Sequence, residues 1–238
     1  MAFFEAFPYY PATITAIREE SANSKTFTLD VKVPWTFKAG QHCVIRLTDE
    51  ADYRAARDYS ISSAPSSNVI EITVGRAKGG EVSGWLHDRT KIGDKVEISK
   101  QLGDDFTWNP GDTRPLLLIA GGIGVAPLMS MLREHRLQGH ASPITLAYSA
   151  RTWDDTCFKD ELTAQRPGET IHLWLTRQAS KRPGTEAGRI NSESLEPLLD
   201  DDQAIFICGP TSFADAMESL LHDELGVSAE RILTERFG

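Results

Sequence analysis

Three cysteines, Cys43, Cys157 and Cys208, stand far apart in a chain of 238 residues. No pair has metal-ligand spacing, so no metal site is expected. No set of four exists to hold an iron–sulfur cluster. Such sparse cysteine use fits a reduced, cytoplasmic protein. Long unbroken apolar runs are also missing. The longest, PLLLIAGGIGVAPLMSML, is interrupted by Gly121, Gly122, Gly124 and Pro127 and has no flanking charge asymmetry, which argues against membrane insertion. The opening MAFFEAFPYYPAT shows neither a basic segment nor a cleavage pattern, so no secretion leader is expected. Positive charge is scarce: the net charge is −9. Residues 1–114 hold 14 Lys and Arg against 16 Asp and Glu, and residues 115–238 hold 11 against 18. That balance excludes nucleic acid as a natural partner. There is no internal repeat and no low-complexity tract.

What is present is ordinary globular composition, 40% apolar and 25% charged, in a chain long enough for two domains. The two halves follow different patterns. In the first, ATITAIREE, KTFTLDVKV, HCVIRLTD, DYSISSAP, VIEITVGRA and DKVEIS are short, rich in β-branched residues and partly alternating. EVSGWLHDRT interrupts them as a helix. Six such strands predict an antiparallel β-barrel over residues 1–110. The breaker cluster TWNPGDTRP then reads as a linker. Beyond it PLLLIA, ITLAYS, TIHLWLT, AIFICG and RILTERF alternate with helical PLMSMLREHRLQG, CFKDELTAQR and TSFADAMESLLHDELG. This alternation predicts a doubly wound α/β domain over residues 111–238, with a parallel five-stranded sheet.

Ligands of such a sheet lie beyond the strand C-termini, where the strand order switches. The first strand runs into GGIGVAP. Its glycines permit close backbone approach, and the helix that follows offers free N–H groups to a phosphate; a tight turn without a ligand is the alternative. The second and third strands end in YSAR and LTR, each placing an arginine past a strand tip. The fourth ends in FICGP, with Cys208 at the mouth of the sheet and no histidine placed to activate it. In the barrel half, RDYSISSAP puts Arg57 and Tyr59 on one face of a strand. A guanidinium clamps phosphate and a phenol ring stacks on a flat ligand. The same pair is equally a solvated cation–π contact on a sheet surface.

Taken together these segments resemble the ferredoxin–NADP reductase superfamily over essentially the whole chain. RDYS is similar to its Arg-x-Tyr-Ser flavin motif, GGEVS to its Gly-x-x-Ser pyrophosphate motif, GGIGVAP to its nicotinamide-cofactor loop and CGP to its nicotinamide-end motif. The resemblance implies FAD held by Arg57 at the pyrophosphate, Tyr59 stacked on the isoalloxazine, and Ser60 near the atom that receives hydride. Ile61, Thr73 and Val74 would adjoin the flavin. Gly80, Val82 and Ser83 would complete the pyrophosphate site. For the dinucleotide it implies Gly122, Ile123, Gly124 and Pro127 at the pyrophosphate, and Ser149, Arg151, Thr176 and Arg177 around the adenosine ribose. Cys208, Gly209 and Pro210 would lie at the nicotinamide. Ser60, Cys208 and Glu235 would stand at the reacting atoms, with Glu235 relaying protons and Phe237 shielding the flavin. Phenylalanine followed by Gly238 departs from the terminal tyrosine of plant-type members, and KQLGDDF departs from the family's Gly/Pro-rich turn.

The implied activity is transfer of hydride from NADPH, with NADH as the alternative, to FAD. Electrons would then pass to a ferredoxin or another small carrier. Free flavin as acceptor, or a role as the flavin subunit of a larger complex, are the competing readings. A monomer is expected.

Overall fold

The computed structural model describes residues 8–49, 51–164, 166–179 and 184–238, so the first seven residues of the opening segment read for a leader lie outside the described residues. The first domain is built of β1 (Tyr9–Ser21), β2 (Ser24–Val31), β3 (His42–Thr48), β4 (Arg54–Ser60), β5 (Ile70–Gly75) and β6 (Lys95–Ser99), all antiparallel in the order β4-β3-β6-β1-β2-β5. An isolated bridge from Ile61 to Ile72 joins the two outer strands and closes the barrel. Alternation buries Ile14, Phe27, Leu29, Cys43, Ile45, Ile72, Val74 and Ile98 in a single core. Helix α1 (Glu81–Asp88) adds Val82 and Leu86 to it.

β4 lies earlier than the sequence suggests, at Arg54–Ser60 rather than over DYSISSAP. The reason is visible in the serines that follow. Ser62, Ser63 and Ser66 leave the barrel and dock on the second domain. Arg133 Nη1 donates to the Ser62 carbonyl at 2.8 Å, Ser130 Oγ to the Ser63 carbonyl at 2.7 Å, and Ser66 Oγ to Glu134 Oε1 at 2.6 Å.

The second domain holds β7 (Leu116–Gly121), α2 (Val125–Leu137), β8 (Ile144–Ala150), α3 (Lys159–Thr163), β9 (Glu169–Leu175), β10 (Thr185–Ala187), α4 (Ser192–Leu195), β11 (Ala204–Pro210), α5 (Thr211–Ser219) and β12 (Ile232–Phe237). Its sheet is parallel throughout, in the order β10-β9-β8-β7-β11-β12. The five expected strands are all there. A sixth, the three-residue β10, pairs at the edge; its sequence TEA has no apolar run and gave no signal. β7 is buried on both faces, as a central parallel strand must be. Leu116, Leu118 and Ala120 pack under α2; Leu117 and Ile119 pack under α4 and α5.

The segment read as a linker is packed rather than free. Trp108 is 2% exposed, pairs with Ala39, and joins the second domain's core with Phe106.

Candidate functional site

The chain leaves β7 outward through β8, β9 and β10, then returns to the other side of β7 as β11. The switch in strand order therefore falls between β7 and β11, where a parallel sheet leaves a crevice. Close packing there accounts for two glycines. A methyl group on Gly124 would lie 2.2 Å from the Cys208 carbonyl oxygen, and one on Gly121 would lie 2.5 Å from the Phe213 ring. Gly122 differs: φ is +56° and nothing lies within 4 Å of its missing Cβ, so it faces open space. Gly122, Ile123 and Gly124 form a single tight turn that leads into α2. Pro127, two residues into that helix, is buried.

Above this crevice stands the barrel, and between them is a cleft of about 460 Å³. One wall carries His42, Arg57, Asp58, Tyr59, Ser60, Thr73 and Gly75; the facing wall carries Ile123, Ala126, Glu235, Phe237 and Gly238. Tyr59 is half-buried against the barrel core, and burial pushes its phenol up despite the opposing charge of Arg57. Arg57 is exposed and donates to the Ala56 carbonyl at 2.6 Å, with no carboxylate within ion-pair distance among the described residues.

Three residues that the sequence places apart meet across the cleft. In register on β11 and β12, Cys208 and Glu235 are neighbours, with Sγ 3.7 Å from Oε2. Glu235 Oε1 lies 3.7 Å from His42 Nδ1 on the barrel side. Burial and then the Glu235 charge hold the Cys208 thiol well above its ordinary range, so it remains protonated and is no nucleophile. Burial alone would lower His42. The nearby Glu235 carboxylate, with Asp58, outweighs it and raises the imidazole above its ordinary value. Asp58 is raised too, chiefly by burial.

His42 and Asp58 escaped the sequence reading. His42 belongs to no recognised motif and Asp58 is only the variable position of RDYS; the β3–β4 register, which sets His42 opposite Ser60, brings His42 to the cleft beside it.

The remaining expected residues divide by what they have left to offer. Ile61 and Val74 are buried in the barrel; the Ile61 N–H donates to Gln41 and the Val74 carbonyl pairs with His87 Nε2. Thr73 lines the cleft, with its hydroxyl engaged by Thr26 at 2.9 Å and Ser62 at 2.8 Å. At the start of α1, Gly80 caps the helix and Ser83 Oγ accepts from the Ala77 N–H at 3.2 Å, keeping its own proton free to donate. The first-turn N–H groups have no partner within the helix, as at any helix start.

At the far tips of β8 and β9, Ser149 and Thr176 are half-buried while Arg151 and Arg177 are exposed and adjacent, the Arg177 N–H donating to the Arg151 carbonyl at 2.8 Å. Neither arginine has an ion-pair partner among the described residues. Gly209 lies in the closed floor of the crevice, against Phe213, and Pro210 is exposed at its rim.

A larger groove, about 920 Å³, opens between α1 and the barrel strands beside Arg46, Trp85 and Lys95. It is formed by one domain alone and touches neither the switch point nor β12, so the smaller interdomain cleft is the candidate site. No group of three or more potential metal ligands occurs among the described residues, and no helix among them is long and apolar enough to cross a membrane.

Residues 11–106 match the family model described as oxidoreductase FAD-binding domain, and residues 118–219 that described as oxidoreductase NAD-binding domain. A flavohemoprotein of Deinococcus radiodurans is 32% identical over 211 residues, covering 85% of this chain and 52% of that protein. One of Bacillus subtilis is 30% identical over 241 residues, covering 97% and 59%. The chain thus spans about half the length of the curated relatives it matches. The FAD/NAD-binding domain of a nitric oxide dioxygenase from Vibrio cholerae superposes with a TM-score of 0.85 at 28% identity, covering 96% of this chain and 98% of that one. A ferredoxin NADP+ reductase from Neisseria gonorrhoeae, solved with FAD and NADP, shares the fold with a TM-score of 0.83 at 20% identity over 96% and 98% of the two chains.

Proposed function

Because the chain belongs to the ferredoxin–NADP reductase superfamily, carrying its FAD-binding and nicotinamide-dinucleotide-binding domains in order, we propose that it takes hydride from NADPH onto FAD and passes the electrons to a separate carrier. The observation that supports this most is the cleft itself. Tyr59 and Ser60 stand on one side of it, and Ile123, Glu235 and Phe237, around the sheet's switch point, on the other. A slot with Tyr59 on one wall and Ile123 and Phe237 on the other fits a planar ring system, with Glu235 at hand for its polar edge. FAD, when bound, supplies the conversion between a two-electron donor and a one-electron acceptor.

The protein's own part is placement and charge. Tyr59 would hold the ring by stacking. Arg57, free of any carboxylate partner among the described residues, and the first-turn N–H groups at Gly80, Val82 and Ser83 would take the pyrophosphate. Ser60 would orient the ring edge, and Cys208, kept as a neutral thiol, would donate to Glu235 without competing for hydride. Glu235 and His42 together would hold a proton at the cleft's edge.

For the dinucleotide, Gly122 and Ile123 offer the open turn, and Arg151 and Arg177 the cationic end. Two adjacent arginines suit the 2′-phosphate of NADPH. Asp155 accepts Thr152 Oγ1 at 2.7 Å on one carboxylate oxygen, so the preference for NADPH rests on the two arginines.

A ferredoxin is the first acceptor we propose. A haem protein is the second, favoured by the flavohemoprotein relatives and by the structural likeness to an Amycolatopsis cytochrome P450 reductase, 25% identical with a TM-score of 0.82. Anaerobic mixing of the FAD-loaded chain with NADPH should bleach the flavin. Re-oxidation by ferredoxins, haem proteins and free flavin then ranks the acceptors. A loaded protein that neither NADPH nor NADH bleaches would overturn the proposal.

A further inference from the structure

A loop of the sheet domain is fastened by a carboxylate of the barrel. Glu20, at the end of β1, has a side chain only 5% exposed. Its Oε2 accepts the backbone N–H of Phe158 at 2.9 Å, across 138 residues of sequence. Its Oε1 accepts Thr26 Oγ1 at 2.7 Å and Arg18 Nε at 2.8 Å. Burying a carboxylate is costly unless its lone pairs are filled, and here the donors come from both domains.

Phe158 needs the support. Its φ is +56°, a left-handed conformation that a bulky non-glycine residue seldom adopts, and it is buried. The preceding N–H, of Cys157, donates to the buried Tyr148 hydroxyl at 3.2 Å, and the Cys157 thiol meets Ser24 on the same barrel hairpin. Burial lifts that thiol to about 11, so it is a packing group.

From this anchor the chain reads backward as one closed turn. Thr156 Oγ1 donates to the Thr152 carbonyl at 3.2 Å, and Thr152 Oγ1 to Asp155 Oδ2 at 2.7 Å. The turn ends at Arg151. The same carboxylate reaches the cleft in the other direction, through Thr26 Oγ1 and the Thr73 hydroxyl 2.9 Å beyond it.

We propose that Glu20 is a positioning residue for the adenosine end of the dinucleotide. From the barrel it sets where the 151–158 loop, and hence Arg151, stands. Discrimination between NADPH and NADH is then governed partly by the domain that does not bind the dinucleotide. This rests on the reading of Arg151 given above.

The two ideas separate in titrations of the FAD-loaded protein with 2′,5′-ADP and with 5′-AMP. The wild type binds 2′,5′-ADP more tightly. Glu20→Ala weakens 2′,5′-ADP about tenfold, the usual scale for losing a hydrogen bond to a charged group, while 5′-AMP changes less than about twofold. KM for NADPH rises in step, with kcat of the FAD-loaded protein unchanged. Glu20→Gln keeps an acceptor for the Phe158 N–H and stays within about threefold of wild type, whereas Glu20→Asp retains the charge, withdraws it from that N–H, and loses about fivefold. The Gln and Asp pair decides the matter if the alanine variant does not fold. Equal 2′,5′-ADP affinity in wild type, Gln and Asp proteins would overturn the role of Glu20. A wild type that does not prefer 2′,5′-ADP overturns the Arg151 reading, and this inference with it.

Discussion

The two domains meet along two edges that are built differently. At one, the barrel's Ser62–Glu71 segment is bound to α2 and α3 by paired charges. Arg133 bridges Glu71 of the barrel at 2.9 Å and Glu161 of α3 at 2.6 Å, and Glu134 is held by Ser66; within the sheet domain Arg136 braces α2 against Glu169 at 2.6 Å. At the other edge, the cleft, the facing walls share few bonds and Arg57 has no carboxylate partner among the described residues. The lesson is that one edge fixes the geometry which the other uses. Where every charge is satisfied internally, the chain is holding itself together. Where arginines are left free of carboxylates among the described residues, their charge is available to a ligand.

That contrast can be broken from its closed side with the largest effect. Arg133→Ala leaves Glu71 and Glu161 partly buried with less positive charge, and should cost about 2–3 kcal/mol after discounting for their exposure. A thermal melt checks this. Burial acts to raise Glu161, but Arg133 and Arg136 prevail and hold it below the ordinary carboxylate value. Its contribution is therefore present above that ordinary value and is lost as pH falls through the depressed one, so Arg133→Ala should flatten the acid side of the stability profile.

On the open side, Tyr59→Ala should leave the fold intact and remove the flavin's stacking partner. Losing such a partner costs about 1–3 kcal/mol, or roughly five- to hundredfold in FAD affinity, read from visible absorbance after gel filtration. Retention of full yellow colour would count against the site.

Arg151→Ala should raise KM for NADPH about tenfold while leaving NADH within about twofold, as removal of a charged phosphate contact predicts. Steady-state kinetics with both reductants checks it. The smallest effect belongs to the ion pair across the cleft. The folded pKa of His42 is raised, so its stabilisation is fully present below the ordinary imidazole value and lost as pH rises through the raised one. His42→Gln should lower stability by about 0.5–1 kcal/mol near pH 6 and by less near pH 8.

Much of this was legible in the sequence, and the reasons differ by element. The barrel strands announced themselves by β-branched alternation and the sheet strands by apolar runs, which is why both sheets appear in the expected order. The sequence places β4 too late because the alanine pair at its start has little strand character, while the serines beyond it look like strand but serve the interface. CFKDELTAQR predicts a longer helix than the five residues of α3: Phe158, left-handed and bonded to Glu20, delays its start, and the extended Ala164 ends it. In the site, Arg57, Tyr59 and the glycine turn were readable as local motifs. His42 and Glu20 are not, since their partners Glu235 and Phe158 lie on distant elements and only tertiary pairing brings them together; Asp58 is legible only as the variable position of RDYS. For Gly124 the structure adds a packing requirement that the motif does not reveal: an added Cβ would meet the Cys208 carbonyl.

A crystal structure determined with FAD and NADP+ tests the central claim most directly. The account predicts the flavin ring against Tyr59, between the barrel and β12, with the dinucleotide running from the Gly122 turn to Arg151 and Arg177. Flavin bound instead in the groove between α1 and the barrel, with the cleft filled by side chains, would contradict it.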